Sequence, residues 1–180
     1  MLGLFGRGRH ERSGFQLYTQ AVVAARSPYF YAVLMVPDTL DGRFDLVGLF
    51  ASMVIRRLRA LPPKGPRVAQ AVFDAMFADM DINLREMGVS DMAIAKRVRA
   101  MWEAFHGRAL AYEAPFASRD LEALAAALSR NVWRGASTPG ATALARIALA
   151  QAAILDATDG LRLLAGQVSF VEPSEAVAAA

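Results

Sequence analysis

The chain has 180 residues, the size of one domain, and with 55% hydrophobic and 21% charged residues it has too much apolar surface to stay disordered. Arg, Asp or Glu interrupts every apolar run short of the ~18 residues that span a bilayer, which argues against a transmembrane chain. The absence of cysteine removes disulfides, thiol nucleophiles and thiolate metal sites, and the net charge of +3 permits contact with anionic lipid or ribosomal RNA without requiring it.

Residues 1–12 lack the apolar core of a secretory signal and read as a flexible tail. Within it Leu2, Leu4 and Phe5 precede Arg7, Arg9 and Arg12, a pattern that can press on an anionic membrane surface. Ser13 caps a helix from Gly14 to about Arg26, and Pro28 ends it. Tyr29 to Val36 is too short for periodicity to classify. Pro37 to Gly42 is turn chemistry, with Asp38 or Asp41 as N-cap of the next helix and Gly42 free to take positive φ.

That helix, Arg43 to about Leu61, is apolar almost all round until Arg56, Arg57 and Arg59, so it belongs in the middle of a bundle or beneath a partner. Its arginines suit the negative pole of the helix dipole. Pro62 and Pro63 stop it, and Pro66 opens the next helix. Ala69, Val72, Phe73, Met76, Phe77, Met80, Leu84 and Met87 then recur at offsets of three and four, an amphipathic helix that Gly88 and Val89 close in Schellman fashion. Ser90 and Asp91 start another, with Ile94, Val98, Met101, Trp102, Phe105 and Tyr112 along one side, and the short turn makes the two an antiparallel hairpin. Ser118, Asp120 and Glu122 open a helix to about Trp133, and Ala141 to Ala165 is the last, with a possible break at Asp159-Gly160. The expected fold is all-α: a single compact bundle of about six helices over residues 13–168, a central antiparallel helical hairpin, and a C-terminal tail over 169–180.

Within the hairpin, Asp79 and Glu86 lie seven apart on the border of the apolar stripe, Asn83 falls inside it, and Arg97 and Arg108 border the second stripe. The plain expectation is that these acids and arginines pair across helices and fix packing. The functional one is a groove that offers oriented charge to a partner. An enzymatic site would need Asp79, Glu86 and His106 to converge, and His106 has no second His, Cys or Ser at a recognised spacing. Two histidines, His10 and His106, make no zinc site. Phe30, Tyr31, Phe44, Phe105 and Tyr112 could form an aromatic cage for a lipid or isoprenoid, or ordinary core.

The run Val36-Pro37-Asp38-Thr39-Leu40-Asp41-Gly42-Arg43-Phe44-Asp45, the run Phe77 to Asp91, then Lys96-Arg97-Val98, Ala104 to Arg108, Tyr112 and Arg130-Asn131-Val132 together resemble the ubiquinol–cytochrome c chaperone family. The resemblance covers roughly Pro28 to Trp133. It implies an all-helical, non-enzymatic assembly factor for the ubiquinol–cytochrome c reductase (bc1) complex, with no cofactor and no catalytic or metal residues. Newly made cytochrome b would be the client, with the ribosomal tunnel exit and an anionic membrane surface as further partners and no DNA. The implied place is the cytoplasm, peripheral to the inner membrane of a bacterium. Asp38, Asp41, Arg43, Asp79, Asn83, Glu86, Arg97, Arg108, Tyr112 and Asn131 are the residues expected to touch the partner or to organise the surface that does. The competing expectation is a quinone- or lipid-binding accessory protein, which requires an enclosed apolar tunnel.

Overall fold

Helical periodicity carries through the chain. In the computed structural model, which describes residues 2–136 and 138–178 (side chains of 8–136 and 138–176), there are nine helices and no strand among the described residues. Six are of twelve residues or more: α1 (Leu2–Ala25), α3 (Leu40–Arg59), α4 (Gly65–Glu86), α5 (Asp91–Ser118), α6 (Leu121–Val132) and α7 (Pro139–Ala157). Three short ones, α2 (Pro28–Ala32), α8 (Gly160–Leu164) and α9 (Pro173–Ala178), complete the set.

The first helix starts at Leu2, not after Ser13, so the expected flexible tail over residues 1–12 is helical from Leu2 onward. No proline stands between Leu2 and Ser13 to stop it, and Ser13 is buried inside the helix rather than capping it. The side chains of Leu2, Leu4, Phe5 and Arg7, on which the membrane-contact expectation depends, lie outside the described residues. Gly14 sets how closely α1 meets α4: a Cβ there would lie 2.5 Å from the Ala71 Cβ and 2.6 Å from its carbonyl carbon. α4 accordingly packs chiefly on α1 and on α3.

Thr39, not Asp38 or Asp41, caps α3, its hydroxyl accepting the Gly42 N–H at 3.2 Å. Asp38 is engaged elsewhere, by Arg43. Gly42 is not at positive φ either: it sits in the first turn of α3, where the Pro37 carbonyl oxygen presses against the site a Cβ would occupy. Because α3 is apolar on every side, it occupies the centre of the bundle, against α1, α4, α5, α6, α7 and α8. The α4–α5 pair is therefore not the central element. α4 ends in the expected Schellman pattern, with Gly88 at φ 76°, the Val89 N–H donating to Leu84 at 3.1 Å and the Gly88 N–H to Arg85 at 2.9 Å. Beyond that turn α5 is only lightly attached, burying Ile94, Phe105, Tyr112, Pro115 and Phe116 among its 28 residues.

Ser118 ends α5 instead of opening α6. Arg119 takes a left-handed conformation (φ 55°), and Asp120 is the N-cap, accepting the Ala123 N–H at 2.9 Å. The long last helix breaks where Asp159-Gly160 suggests, Asp159 capping α8. Of the α3 arginines, Arg57 reaches across to α7 and donates to the carbonyls of Leu155 (3.0 Å) and Thr158 (3.4 Å), so it serves the C-terminal end of a neighbour rather than of its own helix. α7 is apolar and long enough to cross a membrane, with a mean hydropathy of 1.2 over its window, but half of that window is buried inside the bundle and Arg146 interrupts it.

The segment after α8 is not a loose tail. Gln20 donates to the Gly166 carbonyl (2.8 Å) and accepts the Val168 N–H (3.1 Å), while the buried Gln151 donates to the Val171 carbonyl (2.7 Å) and accepts the Val171 N–H (3.2 Å). Each carboxamide matches one donor and one acceptor to the backbone of the C-terminal segment. Phe170 then packs on Phe50 and Ala176 is buried.

Candidate functional site

Asp45 lies one turn into α3, between Phe44 and Leu46, and is buried. A carboxylate there requires counter-charge. Arg108 of α5 supplies it at 2.8 Å to Oδ1, and Arg134, in the turn after α6, donates to Oδ2 at 2.9 Å. Arg134 is held at φ 55°, the left-handed region. Burial pushes the Asp45 carboxyl above the usual carboxylate range, against the opposing pull of the two arginines. Arg108 also lies over the Phe44 ring, 5.8 Å from its centroid.

Tyr112 borders the same cluster. Its buried hydroxyl has no hydrogen-bond partner, the Asn131 amide lying beside it without closing one, and burial pushes it up to about 12. A void of about 10 Å³ adjoins Asp45, Arg108 and Tyr112. Three expected site residues, Arg108, Tyr112 and Asn131, thus meet in the interior around an acid that joins α3, α5 and the α6–α7 turn.

The others are not brought together. Asp79 accepts a 2.6 Å hydrogen bond from Tyr18 of α1, and Asn83 turns back to donate to the Asp79 carbonyl of its own helix at 2.7 Å. Asp38 and Arg43 pair at 2.6 Å on the surface, where Arg43 holds the Asp38 carboxyl below its ordinary range. Asp41 is exposed in the first turn of α3. Glu86 and Arg97 are exposed with no ion-pair partner among the described residues. The acids and arginines of the hairpin are expected to pair with each other or with neighbouring segments, and it is the neighbouring segments that supply the partners: Arg108 takes its acid from α3 and Asp79 a tyrosine from α1. At the hairpin tip Arg85 instead bridges Asp81 (2.7 Å) and Asp91 (2.6 Å).

Nor do Asp79, Glu86 and His106 converge. His106 Nδ1 lies 3.1 Å from the Trp102 carbonyl oxygen, which can only accept from it, and the ring stacks on that of Trp102 at 4.1 Å between centroids and joins Phe73 and Phe105 along an open groove that includes neither acid. Phe30 pairs with Phe50 in the core, far from a cage with Phe105, whose neighbours are Phe73 and Phe77. No group of three His, Asp or Glu among the described residues could hold a metal ion.

Sequence reasoning passed over Asp45, Arg134 and Tyr18. An acid in a helix apolar on all sides is itself the signal for the first, since it must have a buried cationic partner. Arg134 and Tyr18 carry no such mark, one lying in a turn and the other on an ordinary apolar face.

A profile of the family described as Ubiquinol-cytochrome C chaperone matches residues 32–170. The chain belongs to this family. The match extends beyond the Pro28 to Trp133 stretch that carries the motif blocks, through α7 and α8 to Phe170. The chain is 26% identical to the Ubiquinol-cytochrome-c reductase complex assembly factor 1 of Xenopus laevis over 120 residues, 67% of this chain and 60% of the frog protein. It is 28% identical to Protein CBP3, mitochondrial, of Saccharomyces cerevisiae over 162 residues, 87% of this chain and 48% of the yeast protein. It thus spans only about half to three-fifths of these relatives. The crystal structure of the Cbp3 homolog from Brucella abortus matches with a TM-score of 0.85 at 33% identity, over 97% of this chain and 98% of that one.

Proposed function

We propose that this protein is an assembly chaperone that holds newly made cytochrome b and supports biogenesis of the ubiquinol–cytochrome c reductase complex. The observation that carries this reading is the near full-length likeness to the Cbp3 homolog from Brucella abortus, together with the family match and the assembly-factor name of the frog relative. The chemistry of the chain agrees with it. A chaperone for a membrane protein needs apolar surface to offer, and Ile82, Met87, Met92, Trp102 and Leu110 are exposed along the end of α4 and the outer length of α5. It needs no acid–base pair, and Asp79, Glu86 and His106 do not converge on one pocket.

Among the expected site residues, Asp41, Glu86 and Arg97 are exposed without an ion-pair partner among the described residues and are left to meet a partner, while Arg108, Tyr112 and Asn131, gathered about Asp45, organise the attachment of α5. The bundle with its clasped C-terminal segment forms the chaperone unit. The excess positive charge suits work at the cytoplasmic face of an anionic inner membrane or beside ribosomal RNA. A quinone or lipid carrier would need an enclosed tunnel, and two cavities among the described residues are instead open clefts lined in part by charged residues. The deciding experiment is deletion of the gene in its host, scored for cytochrome b haem and bc1 activity. Loss of both is expected; normal levels of both overturn the proposal.

A further inference from the structure

Helix α5 is attached unevenly along its length. Its second half, residues 108–118, is fixed by the Arg108–Asp45 ion pair at 2.8 Å, by the buried Tyr112, Pro115 and Phe116, and by Arg56 lying over the Phe116 ring. Its first half, residues 91–106, buries only Ile94 and Phe105. Ile94 and the buried Leu84 of α4 both stand outside the main core. Met101 packs only partly against that core, and Met92 and Trp102 are exposed. The one ion pair that joins this half to another helix among the described residues is Asp91 with Arg85, both exposed at the hairpin turn. Few buried apolar groups and few polar ties mark a segment that opens locally while the rest of a fold stays intact.

Gly107 stands between the two halves. It is exposed in the interior of a 28-residue helix, its φ is not positive, and a Cβ there would meet nothing within 4 Å. Neither close packing nor backbone geometry therefore requires a glycine, and glycine weakens a helix interior relative to alanine. Pro115, the other residue of α5 that costs a backbone hydrogen bond, is buried within the fixed half. We propose that residues 91–106 form a separate opening unit, which leaves α3 and α4 and gives up its helical hydrogen bonds while residues 108–118 stay docked, with Gly107 as the boundary. Opening withdraws Phe105 from Gly48 and from Phe73 and Phe77, whose ring centroids lie 5.7 Å and 6.2 Å from its own. Apolar surface of α3 and α4 is thereby covered at rest and released without unfolding the bundle. The proposal does not depend on the chaperone reading.

The test is hydrogen exchange of the full chain, read segment by segment by mass spectrometry under conditions where reclosing outpaces exchange. Residues 91–106 are expected to exchange together, and faster than residues 108–118 and α3. An exchange of alanine and glycine at an exposed position inside a helix shifts a local opening equilibrium about fivefold. Gly107→Ala should therefore slow exchange of residues 91–106 by about that factor. Ala100→Gly, exposed in the same half, should speed it by about as much. Ala111→Gly, exposed in the fixed half, should leave residues 91–106 unchanged. Equal protection of residues 91–106 and α3 overturns the proposal. Acceleration of residues 91–106 by Ala111→Gly overturns it too, because the whole of α5 then opens as one. Unchanged exchange in Gly107→Ala overturns the boundary even where residues 91–106 open alone.

Discussion

The Tyr18 hydroxyl donates to the Asp79 carboxylate at 2.6 Å across 61 positions of sequence, and this bond stitches α1 to α4 at the border of the core. A hydrogen bond to a charged acceptor contributes about 1.5–3 kcal/mol, more than a neutral pair. Tyr18→Phe should lower unfolding free energy by that amount in urea titrations. Asp79→Asn, which keeps an acceptor but loses the charge, should cost less than Tyr18→Phe.

The same bond has a consequence at high pH. Burial and the Asp79 charge hold the Tyr18 phenol protonated well above its ordinary value of 10.0, and burial raises Tyr112 to about 12. The unfolded chain releases these protons from about pH 10 while the folded chain keeps them, so stability falls as pH rises beyond 10. Thermal melts between pH 9 and 11.5 should show this decline, and the double variant Tyr18→Phe, Tyr112→Phe should flatten it.

Asp45 is served by two arginines of unequal burial: the Arg108 side chain is 19% exposed and that of Arg134 52%. Removing one partner of a buried pair costs about 3–5 kcal/mol because a charge is left uncompensated. An exposed pair contributes at most about 1 kcal/mol. Arg108→Ala should therefore destabilise far more than Arg134→Ala, and chemical denaturation of the two variants checks the order. Equal losses would mean that the two arginines share the charge balance, contrary to this expectation.

Tyr112→Phe has the opposite expectation. Its hydroxyl is buried without a partner, and an unsatisfied buried polar group costs about 1–3 kcal/mol. Removing the oxygen should leave stability unchanged or raise it by up to that amount. A clear drop in melting temperature would show that the hydroxyl is bonded after all.

Gly42→Ala tests why the Asp41-Gly42-Arg43 step tolerates no side chain. The Pro37 carbonyl occupies the Cβ position, and both groups are backbone, so the helix start must shift. The expected loss is at least the ~1–3 kcal/mol of an overpacked core, despite the better helix propensity of alanine.

Much of the architecture was legible because one period dominates. The α4 stripe from Ala69 to Leu84, the Gly88 stop and the all-round apolar α3 follow from spacing and turn chemistry alone. The caps were harder to read. Three candidates, Asp38, Thr39 and Asp41, stand within four residues, and only the path of the chain selects Thr39 while Arg43 draws Asp38 aside. The partners within the polar cluster are hard to read from sequence for a related reason. Helical spacing places Arg108 on the border of an apolar stripe and Tyr112 within it, but does not show that the acid facing Arg108 comes from α3. Pairing partners are fixed by how helices cross, and that information lies between elements rather than within one.

The Gln20 clasp spans 146 residues to Gly166 and 148 to Val168. During synthesis α1 emerges first, yet the backbone its glutamine needs is made only after every long helix of the bundle is complete. The flank of α1 that meets residues 166–168 therefore stays uncovered until residues 166–168 are made, and closing so large a loop is among the later and entropically more expensive contacts to form. Ribosome-bound chains halted before Gly166 should bury α1 against α4 and still leave Gln20 in water, so the clasp reports that the long helices α3 to α7 have all been made.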